Sequence, residues 1–225
     1  MNVVVTRERG RNESLRSWLP RDAMVTEVPL TTTRYIDAGE VRSTLEASDS
    51  FGEFRMLVVT SSRSANYVAL AARGLATSGR IASVGETTAA SLAVAAPEVS
   101  VGIVGHGGAL DLATKIVEGP VLVLGAAAMR PELPGALRAK GLEVTELACY
   151  ETVPATLTPE DERAIHDADV VVIGAPSAWS VAASLVSTTT WVVVPGATTA
   201  TVVRRTHERV LEGWGPELRE LLATL

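Results

Sequence analysis

At 225 residues and 47% hydrophobic side chains, the chain can fill two domains of about 100–120 residues, each with its own core. A net charge of −6, with no lysine or arginine run, argues against a nucleic-acid partner. One cysteine rules out an internal disulfide, the opening MNVVVTRERG is too short an apolar run for a secretory leader, and no stretch reaches the length of a membrane span, so a cytosolic protein is expected.

In chain order, Asn2–Val5 reads as a strand covered on both faces, Thr6–Gly10 as its exit loop, and Asn12–Leu19 as a helix stopped by Pro20. Met24–Pro29 is the next strand, Leu30–Tyr35 an extended connector, and Asp37–Ser48 a helix. Strands and helices then alternate: Met56–Thr60, Ser64–Arg73, Ile81–Val84, Glu86–Ala95, Val99–Val104, Ala109–Glu118, Val121–Leu124, Glu132–Lys140 and Glu143–Ala148. After Tyr150, Thr158-Pro159-Glu160-Asp161-Glu162 has the N-cap, first-turn proline and acidic residues of a helix start. Asp169–Ile173, Ala178–Ser187, Trp191–Pro195, Thr198–Arg209 and Pro216–Ala223 complete the alternation, which predicts mostly parallel sheets with right-handed crossovers.

The chain also repeats itself. Val3–Tyr35 and Val121–Pro154 share an order of strand, polar loop, helix, strand and exit, with their first strands 118 residues apart. Arg55–Ala72 matches Ala168–Leu185, Arg80–Leu92 matches Thr190–Val203, and His106–Ile116 matches Gly213–Leu222. The amino-terminal unit corresponds to the last unit of the middle copy, and its own copy resumes only beyond Tyr150. The expected fold is therefore α/β, with two similar parallel-sheet domains joined by a two-stranded connector. An outer, discontinuous domain comprises residues 1–34 and 155–225, an inserted domain residues 37–149, and the connector strands lie near 29–36 and 148–154.

Four strand-to-helix loops carry small hydroxylated residues: Thr60–Ser64, Gly85–Thr88, Gly174–Ala178 and Pro195–Thr199. In parallel α/β sheets such loops lie at the carboxyl ends of the strands, where ligands bind, and helix starts offer free N–H groups to anions. Taken singly, each loop reads more simply as a helix cap. Recurrence in repeated positions points instead to a ligand with several carboxylates or phosphates. Gly105–Leu110 lacks the last glycine of a dinucleotide fingerprint, and no Walker-type phosphate loop occurs. His106, His166 and His207 are isolated, with His207 expected on a solvated helix face, and Cys149 reads as inert strand packing. No Ser–His–Asp set emerges, and the four tryptophans read as packing residues.

Tyr150 stands where the inserted domain hands back to the outer one. Its phenol can donate a proton or hydrogen bond to a leaving oxygen, or it can be a half-buried aromatic at a domain joint. Tyr35 is its counterpart in the repeat.

The V-x-V-T-R start, the Thr60–Asn66 loop, Val84-Gly85-Glu86-Thr87-Thr88-Ala89, Gly141–Thr152 and Pro195–Ala200, taken in order, resemble uroporphyrinogen-III synthase over nearly the whole chain. The resemblance implies two α/β domains, one of them discontinuous. It also implies cofactor-free conversion of hydroxymethylbilane, a linear tetrapyrrole with eight carboxylates, to uroporphyrinogen III, with loss of water and inversion of ring D through azafulvene and spiro intermediates. By motif, Tyr150 would assist the departing hydroxyl. Thr6, Arg7, Ser61, Ser62, Thr87, Thr88, Ser177, Ala178, Thr198 and Thr199 would line the substrate site. Gly174-Ala175-Pro176-Ser177 departs from the more usual Thr-Ser-Pro-Ser type of loop, so two hydroxyls are missing there. A monomer taking its substrate from hydroxymethylbilane synthase, without nucleic acid, membrane or metal, completes the expectation. The competing reading is a non-catalytic tetrapyrrole- or anion-binding module of the same fold.

Overall fold

The structure is a computed structural model that describes residues 1–10 and 12–223. Arg11, Thr224 and Leu225, which the sequence reading assigns to the outer domain, lie outside the described residues. The chain divides into two compact units, one from Met1–Thr32 together with Thr152 onward, the other Thr33–Glu151.

The outer unit is built on β1 (Asn2–Val5), β2 (Met24–Glu27), β9 (Val170–Val172), β10 (Trp191–Val194) and β11 (Val210–Glu212). They form one parallel sheet in the order β11-β10-β9-β1-β2. Near-continuous valine runs make up β1, β9 and β10 because both faces are covered, and all three central strands are buried. Helices α1 (Glu13–Trp18) and α10 (Glu217–Leu222) contribute Leu15, Leu218 and Leu222 to the cluster against one face. Helices α7 (Pro159–His166), α8 (Pro176–Ala182) and α9 (Ala197–Val203) contribute Ile165, Trp179, Ala182, Ala200 and Val203 to the cluster against the other. At α7 the capping box is complete: the Thr158 hydroxyl accepts from Asp161 N–H and the Asp161 carboxylate accepts from Thr158 N–H.

The inserted unit contains β3 (Thr31–Tyr35), β4 (Phe54–Val59), β5 (Leu75–Ser83), β6 (Val101–Val104), β7 (Val121–Ala126) and β8 (Val144–Pro154), in the order β3-β8-β7-β4-β5-β6. The pairs from β8 to β6 are parallel. Its helices are α2 (Ala38–Glu46), the single turn α3 (Val68–Ala71), α4 (Glu86–Ala95), α5 (Ala109–Lys115) and α6 (Glu132–Ala139). At the crossing strands, Ile36 N–H donates to Cys149 C=O and Ala155 N–H donates to Leu30 C=O, so β3 and β8 run in opposite senses.

Three expectations are corrected. Ser64–Arg73 is not one helix: 3-10 turns at Ser62–Tyr67 and Ala72–Gly74 bracket α3. The serine-rich start explains this, since Ser61 Oγ accepts from Arg63 N–H and competes with α-helical bonding. The expected helix Thr198–Arg209 stops at Val203, and Arg204–Arg209 form the turn that leads into the edge strand β11. His207 therefore faces inward. It is 7% exposed, its Nε2 lies 2.8 Å from Thr190 O, and its ring meets Trp179 edge-on.

Candidate active site

In a parallel sheet, the direction of winding reverses at one place, and the crevice beyond the strand ends there is the preferred ligand site. In the outer unit the reversal lies between β1 and β9, since the chain runs outward from β1 to β2 and, on the other side, from β9 through β10 to β11. Thr6, the first residue past β1, is 2% exposed, and its hydroxyl donates to Val172 O at 2.6 Å. This bond ties the two strands together across the reversal and engages the hydroxyl internally. Arg7 follows, half-buried, with its guanidinium 6.0 Å from the centre of the Trp214 ring. Ser177 and Thr198 are exposed in the first turns of α8 and α9, whereas their neighbours Ala178 and Thr199 are buried.

In the inserted unit the reversal lies between β4 and β7. The hydroxyl of Thr60 donates to Leu124 O at 2.8 Å, repeating the bond made by Thr6. Gly125 is required beside it, because a methyl there would stand 2.6 Å from Thr60 Oγ1. Ser61 and Ser62 are half-buried at the start of the 3-10 turn. Thr87 is exposed and Thr88 buried in the first turn of α4.

Tyr150 is placed by the extension of β8. It pairs with Ala126 of β7, and its carbonyl accepts from Ala127 N–H at 2.7 Å. The Arg63 guanidinium lies 5.7 Å from the centre of the Tyr150 ring. The residue is only 7% exposed, yet its hydroxyl has no hydrogen-bond partner among the described residues. A buried phenol ordinarily finds a partner. The Tyr150 oxygen is not among the fully enclosed atoms without a partner, so its donor is open to solvent. Tyr35, by contrast, is half exposed and stacks on Tyr67, whose hydroxyl donates to Ile36 O at 2.6 Å. Burial raises the Tyr67 phenol above its ordinary value. Burial likewise pushes the Cys149 thiol up to about 11, in keeping with an inert packing role.

The structure therefore gathers Ser61, Ser62 and Tyr150 at one reversal, with Thr60, Arg63 and Ala126-Ala127. It places Thr6 and Arg7 at the other, beside Gly174. Trp214 and the loop after β7 lie outside the hydroxylated loops, and Arg63 lies within one of them without being a hydroxylated residue. The loop after β7 carries only alanines before Met129, and its signal was its repeat relation to the loop after β1. The loop after β6 explains its failed phosphate motif: Asp111 Oδ2 accepts from His106 N–H at 3.0 Å and Gly107 N–H at 3.2 Å, so a carboxylate of the chain fills the cradle. Among the described residues, no three His, Cys, Asp or Glu side chains come together as metal ligands, and no helix is long and apolar enough to cross a membrane.

A family model described as "Uroporphyrinogen-III synthase HemD" matches residues 20–212. Among solved structures, the uroporphyrinogen-III synthetase of Helicobacter pylori 26695 is similar, with a TM-score of 0.65 and 17% identity, covering 99% of this chain and 98% of that one. A mutant uroporphyrinogen III synthase from the extremely thermophilic bacterium Thermus thermophilus is similar with a TM-score of 0.61 and 17% identity, covering 100% of this chain and 96% of the other. The wild-type protein from the same bacterium gives 0.51 at the same identity and coverage. No curated protein matches by sequence.

Proposed function

The chain belongs to the uroporphyrinogen-III synthase family, the cyclising lyases of heme biosynthesis, and from that premise we propose how its residues convert hydroxymethylbilane to uroporphyrinogen III. Water must leave the hydroxymethyl end of the linear tetrapyrrole, and the ends must then join with ring D reversed. Tyr150 donates a proton to the departing hydroxyl. A positioned acid of this kind contributes about 10²–10⁴ in rate. The remaining acceleration comes from holding a flexible polycarboxylate with its ends together and from stabilising developing charge.

What supports Tyr150 in this role is its phenol, without an internal partner, at the carboxyl ends of the strands beside the Arg63 guanidinium. Arg7 takes a substrate carboxylate, as do the hydroxyls of Ser61, Ser62, Thr87, Ser177 and Thr198. The buried Thr6, Thr88, Ala178 and Thr199 shape these loops and present backbone N–H groups. Two hydroxyls are missing at Gly174-Ala175, so backbone groups and Arg7 carry the anion contact there. We take the functional domains to be residues 1–34 with 155–225 and residues 37–149. The enzyme acts in the cytosol as a monomer, without a cofactor, on substrate released by hydroxymethylbilane synthase.

Hydroxymethylbilane generated in place by its synthase, followed by oxidation and separation of the porphyrin isomers, tests the reaction. Isomer III is the expected product. Isomer I alone, formed by spontaneous closure, overturns catalysis and leaves a binding module.

A further inference from the structure

The Arg7 side chain runs past Gly174 toward Trp214. Its stem crosses Gly174, where an added methyl would stand 3.6 Å from Arg7 Cγ, and its guanidinium reaches the Trp214 ring. Trp214 is itself fixed edge-to-face against Trp18, with ring centres 6.2 Å apart at 70°, and both rings pack on the cluster under β1. The guanidinium carbon lies 6.0 Å from the centre of the Trp214 ring, at the outer range of a cation–π contact, which uses no N–H and leaves the donors for a planar acid. No hydrogen bond or ion pair takes those donors among the described residues.

We propose that Trp214 is a positioning residue that holds Arg7 as a preformed fork for a substrate carboxylate. The inference rests on the reading of Arg7 as a carboxylate ligand. Two observations carry it. First, the loop where Gly174-Ala175 stand opposite Ser61-Ser62 of the repeat is the one the Arg7 stem passes, so the arginine takes the place of the loop hydroxyls as the anion contact. Second, the aromatic platform removes rotamer freedom that a long side chain would otherwise lose on binding, which is how preorganisation raises affinity. Arg7 and Trp214 both lie outside residues 20–212, so the family match does not supply this pairing.

Steady-state kinetics with hydroxymethylbilane, on variants confirmed as folded by circular dichroism, test it. Arg7→Gln is expected to raise KM about tenfold, the loss of a charge-assisted hydrogen bond. Trp214→Leu should raise KM about threefold, and Trp214→Phe, which retains a ring, should lie near the parent. In the Arg7→Gln background, Trp214→Leu should add nothing, because its effect acts through the arginine. An equal KM increase in both backgrounds would mean simple packing and overturn the inference. So would an unchanged KM for Trp214→Leu while Arg7→Gln remains defective. If Arg7→Gln leaves KM unchanged, the reading of Arg7 fails first. Should Trp214→Leu not fold, Trp214→Met refills the space without a π face. It is expected to raise KM about threefold, the worth of the lost cation–π contact, and no change would overturn the inference.

Discussion

Two loops that occupy matching places in the repeat have been put to different uses. Gly213-Trp214-Gly215 follows β11 in the outer unit, and Gly105-His106-Gly107-Gly108 follows β6 in the inserted one. Each turns into a helix through a glycine at φ +83°, Gly215 and Gly108, a backbone that a residue with a Cβ adopts only under strain. In the inserted unit the loop N–H groups bind Asp111, and the loop is closed to outside anions. In the outer unit the corresponding loop carries Trp214, whose ring meets the Arg7 guanidinium. The glycine turn is shared between the copies, and the side chains around it decide whether the loop N–H groups are taken by an internal carboxylate. A second parallel is closer: each unit has an arginine over an aromatic ring at its winding reversal, Arg7 on Trp214 and Arg63 on Tyr150. They differ in the ring. An indole supplies a platform and one N–H, whereas a phenol can also give up a proton.

That difference is broken most directly at Tyr150. Tyr150→Phe keeps the ring under Arg63 and removes only the donor, so kcat is expected to fall about a hundredfold with KM and melting temperature little changed. An unchanged kcat would take Tyr150 out of the chemistry. It would also make the two arginine–aromatic pairs equivalent as supports.

Much of this architecture was legible in the residues. Valine runs marked the covered strands, Thr158-Pro159 marked the start of α7, and the order of the repeats marked the inserted arrangement. The misses have physical causes. Period and propensity see Thr198–Arg209 as one helix, because they cannot see that His207 finds Thr190 O and Trp179 inside. Hydroxyl content likewise marks loops but does not reveal where each hydroxyl goes. Thr6 spends its own on Val172 O, and Thr88 and Thr199 are buried, so loop composition overstates the number of hydroxyls open to solvent. The arginine–aromatic pairs join residues far apart in the chain, and no local pattern announces them.

The matched threonines sharpen the comparison at the level of stability. Thr6→Val and Thr60→Val each delete a hydroxyl that bridges the reversal, at about 1 kcal/mol apiece. The larger loss is expected for Thr6, which is almost fully buried, while Thr60 is half-buried and its own N–H still satisfies Leu124 O. Urea midpoints at unchanged m-value give the comparison. A larger effect at Thr60 would mean that burial does not set the worth of these two bonds.

The smallest effect belongs to the sealed loop. Two backbone N–H groups and Lys115 at 2.9 Å favour the charged form of Asp111, with the lysine hydrogen bond the largest cause, and they hold its carboxyl at about 2 against an ordinary 3.8. A depressed folded-state value means that the seal stabilises the loop above the unfolded value of 3.8. It is lost as pH falls from there through about 2, where the carboxylate takes up its proton. Carbon-detected NMR titration of the Asp111 side chain should give a midpoint near 2, and Asp111→Asn should speed amide exchange of His106 and Gly107 at neutral pH. Because the groups are solvent-exposed, rising salt should move the midpoint back toward the ordinary range. Trp214 and Gly215 have no carboxylate on their amides among the described residues, so their exchange should show no such step between pH 4 and pH 2. A matching step there would mean that the outer loop also closes on an acid, and the contrast between a sealed loop and a supporting one would fail.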